Sequence, residues 1–292
     1  MHFDLAYPAA FTVGALLASG GAAMQSLLKN PLAEPYLLGT VGGASLFAVL
    51  AINFGIAAAG AYVMPAASLV GSAFSLSIVA AISHFAARQR SRNGADAYLR
   101  SSSSTLVLAG FVTGSFTGSL HMLAISYADA ETHMRITRWL FGSLRSVSPA
   151  ALALSVATLI FSLTAFSLLS KPLNLMELGR DEAECLGIDT GRVMFAVLSV
   201  VALSTAVSVA AAGAIGFIGL VVPHAVRRRT GARTQRTIPF SALAGGVVLT
   251  AAESASRLLP GDVPAGVVAA VFTAPFFLWL IASRHGREGL DV

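Results

Sequence analysis

Six stretches of this 292-residue chain contain no Asp, Glu, Lys or Arg: 5–28, 35–87, 101–128, 146–170, 193–226 and 263–283. A helix that crosses a bilayer needs about 20 apolar residues in a row. Each tract is therefore long enough for one span and 35–87 for two, with Asn53-Phe54-Gly55 as the break between them. Charged residues make up 11% of the chain and hydrophobic ones 55%, against about 25% charged in an ordinary soluble domain. Too little charge remains to cover a surface facing water. In hydrocarbon a backbone must satisfy its own hydrogen bonds, and a helix does so within one segment. The sequence predicts an all-α, polytopic membrane protein, and its 27 glycines suit helices that pack closely in lipid.

Proline, glycine and charge set the boundaries. The first span covers 5–28 and ends at Lys29-Asn30-Pro31, where Pro31 disfavours helix at Asn30. The second covers 36–52, the third 60–85 and the fourth 104–125. In 126–147, Asp129, Glu131, His133, Arg135, Arg138 and Arg145 interleave with Trp139, Leu140 and Phe141. This reads as a short interfacial or re-entrant segment with Trp139 at headgroup level. The fifth span is 148–169. The polar insert 171–192 reads as two short amphipathic helices outside the membrane, the first opened by Asn174 as N-cap and Glu177 as its capping-box acid. Span six is 193–211. Span seven, 213–226, is loosened by Gly213, Gly216 and Gly219, stopped by Pro223 and pinned by Arg227, Arg228 and Arg229. Spans eight and nine are 238–257 and 264–284.

Nine spans alternate sides. With the loops after spans one, three, five, seven and nine placed inside, 15 of the 19 basic residues lie there, and Arg135, Arg138, Arg145 and Arg257 lie outside. The positive-inside rule then predicts a cytoplasmic C-terminus and an external N-terminus. Met1-His2-Phe3-Asp4 has no basic n-region, so no signal peptide is expected.

Few residues point to chemistry. No GxxxxGK[ST] pattern is present, so the chain is not expected to bind ATP in that manner. The histidines are scattered without a pair at helical spacing, so neither a metal site nor a cofactor is expected. Cys185, the one cysteine, excludes an internal disulfide and is not assigned as a nucleophile. The chain is not expected to be an enzyme, and its net charge of +5 is read as setting topology rather than binding nucleic acid. Four polar or irregular groups remain. The insert 171–192 is either a solvated loop or a docking surface whose apolar faces need a cytoplasmic partner. Glu253 and Arg257 share a helix face near the outer end of span eight, as an ion pair or a functional site. The loop Asn30-Pro31-Leu32-Ala33-Glu34-Pro35 has its course fixed by two prolines. The glycine stretch 213–219 serves tight packing or a hinge. A secondary transporter driven by an ion gradient is the alternative class. It needs an acid or histidine relay in mid-membrane, and Glu253, the one acid inside a predicted span, lies toward one end.

The stretch from Gly20-Gly21-Ala22-Ala23-Met24-Gln25 through Asn30-Pro31-Leu32-Ala33-Glu34-Pro35-Tyr36-Leu37-Leu38-Gly39 resembles the signature of the FecCD or BtuC-like permeases. These serve ABC importers for iron–siderophores, haem and cobalamin. Trp139-Leu140-Phe141-Gly142-Ser143-Leu144 agrees, as do Glu177-Leu178-Gly179 with Cys185-Leu186-Gly187-Ile188. So do Gly216-Phe217-Ile218-Gly219-Leu220-Val221-Val222-Pro223-His224 and the run from Pro264-Ala265-Gly266 to Ala274-Pro275-Phe276-Phe277-Leu278. The resemblance extends from about residue 10 to 282 and does not distinguish the cargo.

This resemblance implies one transmembrane permease domain over 1–292, in the inner (plasma) membrane, paired with a second copy as a homodimer around a translocation path. Two cytoplasmic ABC ATPase subunits and an external substrate-binding protein are the implied partners. The insert 171–192 corresponds to the coupling helices, with Glu177, Arg180, Asp181 and Glu182 as polar contacts to the ATPase. Arg257 corresponds to a basic residue that docks the binding protein. Gly216, Gly219 and Pro223 belong to a hinge near the inner gate. Family members usually carry ten spans and an Arg-x-Pro-Arg type sequence where this chain reads Leu5-Ala6-Tyr7-Pro8. Either the start is placed too far downstream or the chain is a nine-span variant, and in the second case docking leans on Arg257, with Arg135, Arg138 or Arg145.

Overall fold

The structure is a computed structural model that describes residues 4–60, 62–91, 102–141, 144, 147–231, 233–260 and 263–275. Arg92, Arg100, Arg145, Arg284, Arg287 and the end of the ninth span lie outside the described residues, as do the side chains of Arg138 and Arg180. Eleven α-helices follow in order among the described residues: α1 (Ala6–Leu28), α2 (Thr40–Asn53), α3 (Val63–Ser91), α4 (Ser102–Ser126), α5 (Ala130–Leu140), α6 (Pro149–Leu178), α7 (Arg180–Cys185), α8 (Thr190–Ala212), α9 (Ile218–Thr230), α10 (Thr234–Leu258) and α11 (Ala265–Pro275). Short 3-10 turns at Pro35–Leu38 and Ile56–Ala59 flank α2. Six helices, α1, α3, α4, α6, α8 and α10, are long and apolar enough to cross a membrane, and α2 and α11 are shorter apolar helices. With α9 they coincide with the nine expected spans.

Helix α1 is the hub. Of its 23 residues 20 are buried, because α6, α8, α9 and α10 all pack on it. Its small residues allow this. A Cβ on Gly14 would collide with the Gly245 carbonyl of α10, and a Cβ on Gly21 with the Gly219 carbonyl of α9. Backbones touch at both crossings, the geometry small residues permit between helices in lipid. Larger side chains fill the spaces between: Leu16 and Met24 of α1, Phe166 and Leu173 of α6 and Leu249 of α10 are fully buried. Removing a side chain of that kind typically costs about 2–5 kcal/mol.

Helix ends meet as the alternating topology requires. Ser26 near the end of α1, Glu177 near the end of α6, Arg227 near the end of α9 and Thr234 at the start of α10 form one hydrogen-bonded cluster. At the opposite end of α1 and α10, Asp4 pairs with Arg257. The first end carries the basic loops, so the cluster marks the side assigned to the cytoplasm.

Three local expectations are corrected. Residues 213–217 are not helical, and α9 begins at Ile218. Pro223 does not stop α9, which runs on to Thr230. A proline within a helix removes one bond to the residue four earlier, here the Gly219 carbonyl, and neighbouring helices hold the rest in place. The first short helix of the insert is instead the last turns of α6, which continues through Pro172 to Leu178. Leu173 and Met176 are buried there, and their packing outweighs the one bond lost at Pro172. Asn174 is therefore no N-cap: its Oδ1 accepts from the Thr234 N–H at 2.9 Å and its Nδ2 donates to Gln235 at 3.2 Å. Trp139 packs on Val41, Ala44 and Val209. Helix α5 itself lies where a short interfacial segment was expected, capped by Asp129, whose carboxylate accepts the Thr132 N–H at 2.7 Å.

Candidate functional site

Two of the spans are short and begin from irregular backbone. Helix α9 has 13 residues, about 20 Å, and α2 has 14. Neither reaches across a hydrocarbon core of about 30 Å. The irregular segments preceding them, 29–39 and 213–217, pack on each other. Non-helical backbone at membrane depth is tolerated where it is buried in protein or lines a cavity, and paired interrupted helices of this kind mark binding and gating regions in transporters.

The first segment is built by its own residues. Lys29 closes α1 in the left-handed conformation, its N–H bonding the Gln25 and Ser26 carbonyls. Asn30 Oδ1 accepts the Leu32 N–H at 2.9 Å, an Asx turn that sends the chain back along α1. Pro35 reaches Gly20 and Gly219. Glu34 is thereby buried, and its Oε1 accepts the backbone N–H of Phe217 at 2.8 Å. Phe217 is a non-glycine residue at φ 68°, an uncommon conformation for such a residue. Its N–H belongs to the positive end of α9, where a carboxylate is favoured. Gln25 of α1 adds a second tie, Nε2 donating to the Leu220 carbonyl at 3.0 Å.

The two glycines expected at the gate differ in environment. A Cβ on Gly219 would lie 3.0 Å from the Leu17 carbonyl and 3.2 Å from Pro35, with no room to spare. A Cβ on Gly216 would meet only the Tyr36 ring at 3.8 Å, an ordinary contact.

At the basic end the insert is compact. Gly179 separates α6 from α7 and leaves room for the Glu182 carboxylate, which folds over the start of α7. Asp181 and Glu182 occupy the first turn, where acids suit the helix dipole. The Ile188 N–H returns to the Ala183 carbonyl at 3.0 Å and closes α7. Thr190 Oγ1 donates to Glu184 at 2.5 Å and ties α7 to α8. Leu178 and Leu186 stay exposed, at 70% and 61%, an apolar pair flanking the acids. Glu177 stands apart from them. It is 20% exposed and faces α9, where Arg227 Nη1 donates to its Oε1 at 3.1 Å.

At the other end Arg257 is fully engaged. Its Nε donates to Glu253 Oε1 at 2.8 Å, its two Nη groups donate to the Asp4 carboxylate, and its guanidinium lies 4.6 Å from the Tyr7 ring centre. Glu253 is 2% exposed, and a carboxylate so buried needs such a partner. Among the described residues no group of three His, Cys, Asp or Glu is placed to hold a metal. Between α2, α4 and α5 lies a hollow of about 660 Å³, walled by Leu46, Leu50, Leu120, Leu123 and Tyr127.

Interrupted helices among the apolar spans and a polar insert with exposed leucines at the basic end are features of a membrane permease. The chain belongs to the FecCD transport family, whose model matches residues 7–283. It is 31% identical over 279 residues to the cobalamin import system permease protein BtuC of Halobacterium salinarum, covering 94% of this chain and 71% of that one. It is 34% identical to the vitamin B12 import system permease protein BtuC of Vibrio cholerae (95% and 80% covered) and 31% identical to the hemin transport system permease protein HmuU of Yersinia pestis (96% and 82%). A solved structure described as an inward-facing conformation of a metal-chelate type ABC transporter superposes with a TM-score of 0.85 at 26% identity, covering 96% of this chain and 85% of that one. The protein is thus an inner-membrane ABC-importer permease with the BtuC-like fold.

Glu34 is the residue that sequence reasoning left as part of a loop. The signal available was an acid between two prolines, next to a span too short for the membrane.

Proposed function

We propose that this permease imports a bulky metal chelate, a ferric siderophore, haem or cobalamin, as one transmembrane unit with its insert at 171–192. It works as a homodimer with two cytoplasmic ATPases and an external substrate-binding protein. The likeness of nearly the whole chain to permeases named for cobalamin and hemin carries this reading. The lining of the α2–α4–α5 hollow, mostly apolar with Asn53, Asp129 and Thr132 among it, supports a path that touches its cargo weakly and leaves selection to the binding protein.

In this reading α7 is the ATPase contact. Arg180, Asp181 and Glu182 supply its polar groups, and the exposed Leu178 and Leu186 give it an apolar footing; Glu177 lies at its root. Arg257 marks the docking end for the binding protein, and an acidic partner there must compete with Asp4. Gly216, Gly219 and Pro223 form the hinge of the inner gate, with Gly219 the sterically critical member. ATP-driven closure of the ATPases moves the permease only through contacts that differ between its two states.

The test is co-expression with an ABC ATPase and a substrate-binding protein from the same organism, followed by pull-down and uptake of radiolabelled cyanocobalamin, haemin and a ferric hydroxamate. An ATPase that co-purifies and one cargo that accumulates support the reading. A permease that retains no ATPase contradicts it.

A further inference from the structure

The ATPase contact and the gate lie on different elements. Helix α7 continues α6, whereas the glycine hinge begins α9. A force applied at α7 needs a rigid link to reach α9, and backbone does not provide one: Ala183 to Phe217 are joined only through the whole of α8 and the irregular segment 213–217. The side chains of Arg227 and Glu177 provide one. Arg227, in the last turn of α9, donates through Nη1 to Glu177 Oε1 at 3.1 Å and through Nη2 to Ser26 Oγ at 2.5 Å. Glu177 precedes Gly179, the junction with α7, by two residues. Ser26 lies in the last turn of α1 and also accepts from Thr234 of α10 at 3.2 Å.

We infer that Arg227 is the positioning residue that transmits movement of α6–α7 to α9, with Glu177 as its driving partner and Ser26 as its fixed anchor. The inference rests on the ATPase-docking reading of the insert. Two observations carry it. The pair is a direct side-chain bond between the end of α6 and α9. It is largely shielded, with side-chain exposures of 23% and 20%, so it is weakly screened by salt and water. The other end of α9 is held by Glu34 and by the crossing of Gly21 on Gly219. A shift imposed at Arg227 therefore turns α9 about that crossing and moves residues 213–217.

The test uses the assembled permease–ATPase complex with Cys185→Ser, so that paired labels can be placed at Arg229 of α9 and Phe240 of α10, both exposed. The distance between them is read by spin-label spectroscopy with and without ATP and vanadate. The parent complex shows a nucleotide-dependent shift. Arg227→Ala keeps the ATPases bound and hydrolysing ATP but loses the shift, and the exchange Glu177→Arg with Arg227→Glu restores it. A shift retained in Arg227→Ala overturns the inference, as does an exchange variant that assembles without regaining it. If Arg227→Ala does not assemble, Arg227→Lys takes its place: it keeps the charge, loses the second tie to Ser26 and gives a smaller shift, and a full shift overturns the inference. A parent complex that binds no ATPase is a different failure, that of the docking reading itself.

Discussion

The carboxylate of Glu34 accepts the backbone N–H of Phe217 at 2.8 Å, a bond spanning 183 positions of the chain. It joins the two irregular segments of the bundle and holds the start of α9 against α1. Replacing Glu34 by Ala leaves that N–H buried and unmatched, which typically costs about 1–3 kcal/mol. Thermal unfolding of the purified permease in lipid nanodiscs is expected to shift down, and Glu34→Gln, which keeps an acceptor oxygen, to recover most of the loss. Equal unfolding temperatures for Glu34→Ala and parent contradict this role.

The two glycines near that bond give opposite expectations. Gly219→Ala places a methyl 3.0 Å from a backbone carbonyl that cannot move without α1, whereas Gly216→Ala meets a ring at 3.8 Å. Overpacking of a tight crossing costs about 1–3 kcal/mol. Uptake measured beside dimer content by size exclusion is expected to fall strongly for Gly219→Ala and Gly219→Leu and little for Gly216→Ala. Normal uptake by Gly219→Leu rejects the gate assignment.

Much of this architecture was legible in the residues. Uncharged tracts located eight of the nine spans because hydrocarbon excludes charge over a fixed length; span eight carries Glu253 and Arg257 toward one end. Proline was read less well: Pro172 and Pro223 both sit inside helices, since each removes a single bond and packing of Leu173, Met176 and Ile218 compensates. Asn174 and Glu177 have the spacing of a cap, yet both side chains bond other helices, and such partners are invisible to local spacing. Glu34 looked like a loop acid because depth in the membrane is set by how the chain folds back after Asn30, a tertiary property.

Arg257 is already bonded to Asp4 and Glu253. A docking role therefore requires exchange of Asp4 for an acid of the binding protein. Asp4→Asn is expected to strengthen stimulation of ATP hydrolysis by the binding protein, and Arg257→Glu to abolish it. Stimulation unchanged in both variants removes Arg257 from the docking surface.

Reversal at α7 tests the other end. Glu182→Arg removes the acid that folds over the start of α7 and is expected to lower uptake while ATP hydrolysis continues. Full uptake by this variant rejects the assignment of α7 as the ATPase contact.

Asp129 offers a pH-dependent signal outside the membrane. Its hydrogen bonds to Thr132 hold its pKa below the usual carboxylate value. A carboxyl depressed in the folded state stabilises it above its unfolded pKa, and this contribution is lost as pH falls through the folded value. Hydrogen exchange at the Thr132 amide is expected to be slow at neutral pH, once corrected for intrinsic rates, and to lose protection in acid. Asp129→Asn, which still caps but does not titrate, is expected to flatten that dependence; an unchanged acid response in this variant assigns it to another group.

ATP-dependent uptake into proteoliposomes whose proton and sodium gradients have been collapsed tests the central claim most directly. The permease, reconstituted with its ATPase subunits and binding protein, is predicted to accumulate its metal chelate there at an undiminished rate and to stop when ATP is withheld. Uptake that vanishes with the gradients, or proceeds without the ATPase, contradicts the account and makes the chain a secondary transporter.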